Sequence, residues 1–368
     1  MTVQCAILNP RCEIFASDTR VTTPEGKKYD GVQKIFEISN DPPAKIMING
    51  NMEFENIPIE TIINEFKSKT NFEELKTIEE IKNKFLKFTH NYAPKSDFEE
   101  YISYVVEDFK EALSLEIEEN GFDKIISTKK RKEPYPFIRK YSKFNDEFCE
   151  IIPKKKEKEK YNEILWEIFS QELKYSGTGI IIAGYNPDSP YPSFFELNIH
   201  CNDEKEIIYE ELESKINFQE TIIRIYAMNQ EGYSFFTGFN EEFLEYIRGY
   251  INETNEEIIH RLKSKLHQEN ITPIDKILTI TTHILNEEYS DLNNEVNIFR
   301  INAIEDTSKS IEFIPNNLLC TLADEIIRLT GIKQKISSEE EYVSIKSHIS
   351  LITKPQGFKW VKLDKDIV

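Results

Sequence analysis

Residues 1–50 read MTVQCAILNPRCEIFASDTRVTTPEGKKYDGVQKIFEISNDPPAKIMING, and their alternation and punctuation decide the fold. Val3, Cys5 and Ile7 alternate with Gln4 and Ala6, Asn9-Pro10 turns the chain, and Ile14 and Ala16 resume the phase. That pattern predicts a hairpin beginning almost at residue 1. A polar loop with Pro24, Gly26 and Gly31 leads to Lys34-Ile35-Phe36-Glu37-Ile38, and Pro42-Pro43 leads to Lys45-Ile46-Met47-Ile48 ending at Asn49-Gly50. Two further strands are expected there. Ile59, Ile62, Ile63 and Phe66 follow at helical spacing, an apolar stripe able to pack on that sheet.

Outward from this start, residues 70–175 change character. Helix-like stretches around 77–90, 98–119 and 158–174 are separated by charged runs such as Lys129-Lys130-Arg131-Lys132 and Lys154-Lys155-Lys156. We read this as a helical insertion whose basic runs are solvated loops, with a docking patch for an acidic partner as the alternative. Strand patterning returns at Gly179–Ala183, Ser193–Leu197 and Thr221–Tyr226. Helices are expected from about Asn240, over 253–267, from Thr272-Pro273 with Thr272 as cap, and over 319–329, before closing strands at His348–Thr353 and Phe358–Val361. Two sheets with helices outside them, α+β in class, form a single domain over 1–368 interrupted at about 70–175.

Composition removes several function classes. Lys+Arg number 46 against 65 Asp+Glu, a formal charge of −19, which argues against generic binding to nucleic acid or anionic lipid. No window approaches a membrane span, and residues 1–20 carry no basic leader or cleavable apolar segment, so the start is expected to be mature sequence. Cys5, Cys12, Cys149, Cys201 and Cys320 are scattered and odd in number, which fits a reducing cytoplasm and neither a disulfide framework nor a zinc ribbon. The six histidines lack ligand spacing, and Gly177-Thr178-Gly179 precedes a strand where a dinucleotide loop would follow one. No metal or cofactor is expected.

The residues that carry chemistry are Thr2, Asp18 with Thr19-Arg20, Lys34 and Gly50. Removal of Met1 by methionine aminopeptidase exposes a threonine with both a hydroxyl and a free amine. The hydroxyl is a weak nucleophile, whereas an α-amine with an ordinary pKa near about 7.7–8.0 is a base tuned to neutral pH. A nearby lysine stabilises negative charge on the oxygen and lowers the amine's pKa, an aspartate holds the lysine, and a glycine N–H at a strand end can donate to an oxyanion. Each residue alone also fits a structural role: Thr2 beginning a strand, Asp18 and Lys34 forming an ion pair, Gly50 making a turn.

In order and spacing, this set resembles the proteasome β-type subunits and bacterial proteasome-like peptidases of the N-terminal nucleophile hydrolase superfamily. Taking Thr2 as the N-terminal threonine, Asp18-Thr19-Arg20 falls on the family's A-D-T-R turn and Lys34 on its catalytic lysine without a gap. Gly50 matches the oxyanion-hole glycine after a two-residue allowance. Gly179–Leu197 resembles the family's paired strands, Thr237-Gly238 its Ser-Gly opening a third helix, and Ile349–Trp360 its closing hairpin. The family's Asp-x-x-Ser-Gly-Gly support has no glycine pair here; Ser338–Ser344 offers Glu340 and Ser344 in its place. The resemblance implies a four-layer αββα sandwich and a threonine peptidase acting on peptide or unfolded protein. It also implies self-association and an ATPase or other protein partner. A noncatalytic scaffold and a small-amide hydrolase are the rival implications.

Overall fold

The computed structural model describes residues 2–23, 26–141, 147–173, 176–227, 230–269, 271–337 and 341–363. It is a mixed α+β structure whose strands pair antiparallel. The opening hairpin is β1 (Val3–Asn9) and β2 (Cys12–Asp18), followed by the two-residue strands β3 (Val21–Thr22) and β4 (Lys28–Tyr29). Next come β5 (Ile35–Asn40), β6 (Pro43–Gly50) and the short pair β7 (Glu53–Phe54) and β8 (Ile57–Pro58). The second half supplies β9 (Thr178–Tyr185), β10 (Pro192–Asn202), β11 (Ile207–Lys215), β12 (Ile222–Ala227), β13 (Ser347–Thr353) and β14 (Gly357–Lys362). Two five-stranded sheets result, ordered β12-β1-β2-β13-β14 and β11-β10-β9-β6-β5.

Side chains alternate across both sheets, as a period of two requires. Ala6, Leu8 and Phe15 from the first sheet share one buried cluster with Ile35, Met47, Ile181, Ala183 and Phe194 from the second. The opposite face of the first sheet, including Val3, Cys5, Ile7, Ile14 and Ala16, packs with Leu319, Ala323, Ile326 and Ile327 of helix α10 (Asn316–Ile336). The opposite face of the second sheet, including Ile46, Ile48 and Ile180, packs with α1 (Ile59–Lys69) and α2 (Ile78–Tyr92). A capping box at Thr77 and Glu80 starts α2, satisfying backbone N–H groups that a helix end leaves open.

The helical segment expected over 70–175 divides. Helix α2 belongs to the sheet, whereas α3 (Phe98–Asn120), α4 (Phe122–Thr128), α5 (Pro136–Arg139) and α6 (Lys158–Leu173) build their own core around Trp166, Phe148 and Phe169. Three lysines of its basic runs pair with acids: Lys129 with Glu116 at 2.9 Å, Lys132 with Glu210 of β11 at 2.5 Å, and Lys156 with Asp123 at 2.6 Å.

Three expectations change in the later helices. Thr237-Gly238 closes α7 (Gln230–Thr237) and does not open a helix: Gly238 takes φ +73°, the left-handed conformation that ends helices, and Asn240 caps α8 (Glu241–Gln268). The two helices expected over 240–267 are this one helix, because Gly249 sits at an open position where it costs only about 1 kcal/mol. The helix begun near Thr272 runs on as α9 (Ile274–Ile311), starting at Pro273 without a side-chain cap. No described helix is long and apolar enough to cross a membrane, and all five cysteines are free thiols.

Candidate active site

The β1–β2 register pairs Gln4 with Ser17, so the open end of the hairpin sets Asp18 beside Thr2 and Val3. Lys34 arrives from the other sheet, one residue before β5. Its position is fixed twice: Ile48 N donates to Lys34 O at 3.0 Å, and the buried Gln4 Nε2 donates across the sheets to Ile48 O at 2.6 Å. Strand ends from both sheets therefore converge on one point.

At that point Lys34 Nζ donates to Thr2 Oγ1 at 2.5 Å, to Asp18 Oδ1 at 2.7 Å and to Arg20 O at 2.6 Å. Those are the three protons of an ammonium. Thr2 Oγ1 in turn donates to Asp18 Oδ1. The carboxylate also accepts from Val3 N at 3.2 Å on Oδ1, and from Arg20 N at 3.1 Å and Ser344 N at 3.2 Å on Oδ2. Asp18 and Lys34 are essentially sealed from water, and Thr2 keeps 8% of its surface. Burial pushes the Lys34 ammonium pKa below its ordinary range, with the Asp18 charge opposing that shift.

A second ring of contacts holds these groups. Arg20 forks onto Asp30 at 2.7 and 3.0 Å and reaches Glu341 O at 3.2 Å. The Asp30 hydrogen bonds raise the Arg20 pKa, and those same bonds lower that of Asp30. On α10, the buried Gln334 Oε1 accepts from Tyr342 N at 2.9 Å and Val343 N at 2.8 Å. Three consecutive N–H groups, of Tyr342, Val343 and Ser344, are thus captured, the last by Asp18. Neither Asp30 nor Gln334 stands out in the sequence, since an acid in a polar loop and a glutamine late in a helix carry no periodic signal.

Gly50 ends β6 at φ +70°, two residues beyond Ile48, and a Cβ there would lie 2.8 Å from Gly177 O. Only glycine suits both constraints. Ser344 joins the site through its backbone, its Oγ accepting from Lys346 N at 3.1 Å. Thr237 is not brought into the cluster by any hydrogen bond among the described residues: its hydroxyl donates to Tyr233 O at 2.8 Å within its own helix. Glu340 lies outside the described residues. Among the described residues, no group of His, Cys, Asp or Glu is arranged to hold a metal.

No family model matches the chain, and no curated protein matches it. Among solved structures, the chain is similar to Anbu (ancestral beta-subunit) from Yersinia bercovieri, with a TM-score of 0.39 and 8% identity over 99% of this chain and 88% of that one. A likeness of that size does not by itself assign a fold or an activity.

Proposed function

We propose that the protein is an αββα sandwich of the N-terminal nucleophile hydrolase type and a threonine hydrolase, with peptide bonds as its substrate class. The observation that carries this reading is the single ammonium of Lys34 hydrogen-bonded at once to the Thr2 hydroxyl and to the Asp18 carboxylate. A bare structural ion pair needs no hydroxyl bonded to both its members, whereas a nucleophilic oxygen needs a cation to stabilise the charge it develops.

In the reaction, Thr2 Oγ attacks the amide carbonyl carbon while its proton passes to the free α-amine, through a water. The Gly50 N–H and the Lys34 ammonium stabilise the tetrahedral oxyanion and the attacking oxygen. Collapse breaks the C–N bond, the α-ammonium returns its proton to the leaving amine, and an ester to Thr2 remains. A water deprotonated by the same amine then hydrolyses that ester. Asp18 acts as anchor: its two oxygens already accept bonds from Thr2, Val3, Lys34, Arg20 and Ser344, so it fixes the lysine and the hydroxyl in place. Arg20 is a positioning residue, its carbonyl holding Lys34 and its side chain tying the 341–344 segment to the loop at Asp30. The five free thiols suit a reducing, cytoplasmic setting. Covalent labelling of Thr2 by a hydroxyl-directed inhibitor, with Met1 absent from the intact mass, tests the proposal.

A further inference from the structure

Helix α9 spans 38 residues, ~57 Å at 1.5 Å per residue, and packs along one side against α8. Arg248 of α8 holds Asn293 of α9 at 3.0 Å, and Tyr289, Val296 and Ala303 are half-buried on that inner side. The outer side carries a second seam, apolar at both ends and polar in the middle. Ile280 and Ile284 lie toward one end and Ile298 and Ile301 toward the other, each about half exposed. Glu287, Asp291 and Asn294 lie between them, also exposed. These positions are separated alternately by four residues and three, the heptad spacing that keeps one stripe of a helix facing a partner helix.

Reversed on a second copy, the seam is complementary everywhere but at its centre, where Asp291 meets its own copy across the axis. About a two-fold axis near Asp291, an antiparallel copy sets Ile280 against Ile301 and Ile284 against Ile298. Glu287 then meets Asn294, and the exposed Lys276 meets the exposed Glu305 at each end. Asp291 faces Asp291 in either direction, but a parallel copy would also stack Glu287 on Glu287 and Glu305 on Glu305, and would leave Lys276 facing its own kind. Charge pairing therefore selects the antiparallel arrangement, and a two-fold contact requires this reciprocity: residue i meets j and j meets i. A strip ~45 Å long and about one helix wide on each copy covers on the order of 1,000 Å² in total, near the lower bound for a specific interface.

We infer that the outer face of α9 is a dimer interface, occupied by the same face of a second copy running antiparallel across a two-fold axis near Asp291. The two hairpins form a four-helix arrangement with α9 helices inside and α8 helices outside. This contact does not depend on the Thr2 chemistry, and covalent labelling of Thr2 reads that chemistry separately.

Sedimentation velocity of the full-length protein between 1 and 100 μM tests the interface. The wild type is expected to dimerise with concentration, and Ile284→Lys with Ile298→Lys to leave a monomer of unchanged far-ultraviolet circular dichroism, since both side chains are already solvent-exposed. Lys276→Glu is expected to weaken association about tenfold, and adding Glu305→Lys to restore it by re-forming both end pairs in reverse. Asp291→Cys is expected to yield a disulfide-linked dimer under mild oxidation. A wild type that stays monomeric at 100 μM, an association that survives the double isoleucine substitution, or a charge swap that fails to restore binding would overturn the inference.

Discussion

Lys34 Nζ sits 2.5 Å from Thr2 Oγ1 and 2.7 Å from Asp18 Oδ1, with the ammonium and the carboxylate both closed off from solvent. The chain brings one charge from each sheet to a point where neither is stable alone. Removing either partner strands the other in a low-dielectric site, at a cost of about 3–5 kcal/mol.

Lys34→Met and Asp18→Asn are therefore each expected to lower the urea midpoint and to reduce turnover at least about 100-fold. The double variant should lose less stability than the two single losses added together, because no unpaired charge remains. Additive losses in a double-mutant cycle would show that the two groups do not act as a buried pair.

Gly50→Ala places a Cβ 2.8 Å from Gly177 O at φ +70°. A stability loss of about 1–2 kcal/mol is expected from the backbone conformation. Turnover should fall at least about tenfold, since the strand end that presents the N–H must shift. Full activity in a variant with the expected stability loss would remove Gly50 from the oxyanion site.

Gln334→Leu deprives two N–H groups, those of Tyr342 and Val343, of their acceptor, for about 1–3 kcal/mol. Because Ser344 N follows directly and binds Asp18, kcat is expected to drop with KM little changed. Gln334→Glu keeps an acceptor oxygen and should rescue kcat. A Glu variant as impaired as the Leu variant would show that Gln334 matters only for packing.

The site was legible where chemistry and periodicity coincide. Thr2, Asp18 and Lys34 stand at or beside the ends of strands that alternate clearly, and their side chains meet, while Gly50 closes β6 against Gly177. Arg20 was visible as part of that turn, but its partner Asp30 was not, because a loop acid has no pattern to mark it. Edge strand β11 was missed for a related reason. Ile207-Ile208-Tyr209 runs into Glu210, Glu211 and Glu213, acids that pair with Lys132, Lys82 and Arg224 in the fold and that hide the strand signal in the sequence. Thr237 was placed by likeness of sequence alone, and its hydroxyl turns back into α7.

A buried acid at the inter-sheet core predicts a pH dependence of stability. Burial pushes Glu13 up to about 8, with Lys45 opposing that shift. Between the unfolded carboxyl pKa near about 4.3 and pH 8, the folded protein holds a proton that the unfolded chain has released, so stability falls as pH rises through that window. Lys45, pushed down to about 8, changes its proton binding only above the window. Glu13→Gln should therefore gain on the wild type by about 1–3 kcal/mol between pH 5 and pH 8 in urea titrations. A pH-independent difference would show that Glu13 is ionised in the fold.

The central claim is that Thr2 is an N-terminal nucleophile, and intact-mass spectrometry after incubation with an epoxyketone measures it directly. Such a probe needs the threonine hydroxyl to attack and the adjacent free amine to complete the adduct. The account predicts protein lacking Met1, gaining one probe mass mapped to Thr2, with no labelling in Thr2→Ala. A chain that retains Met1 and stays unlabelled, or labelling that persists in Thr2→Ala and maps to Cys5 or Cys12, would contradict it.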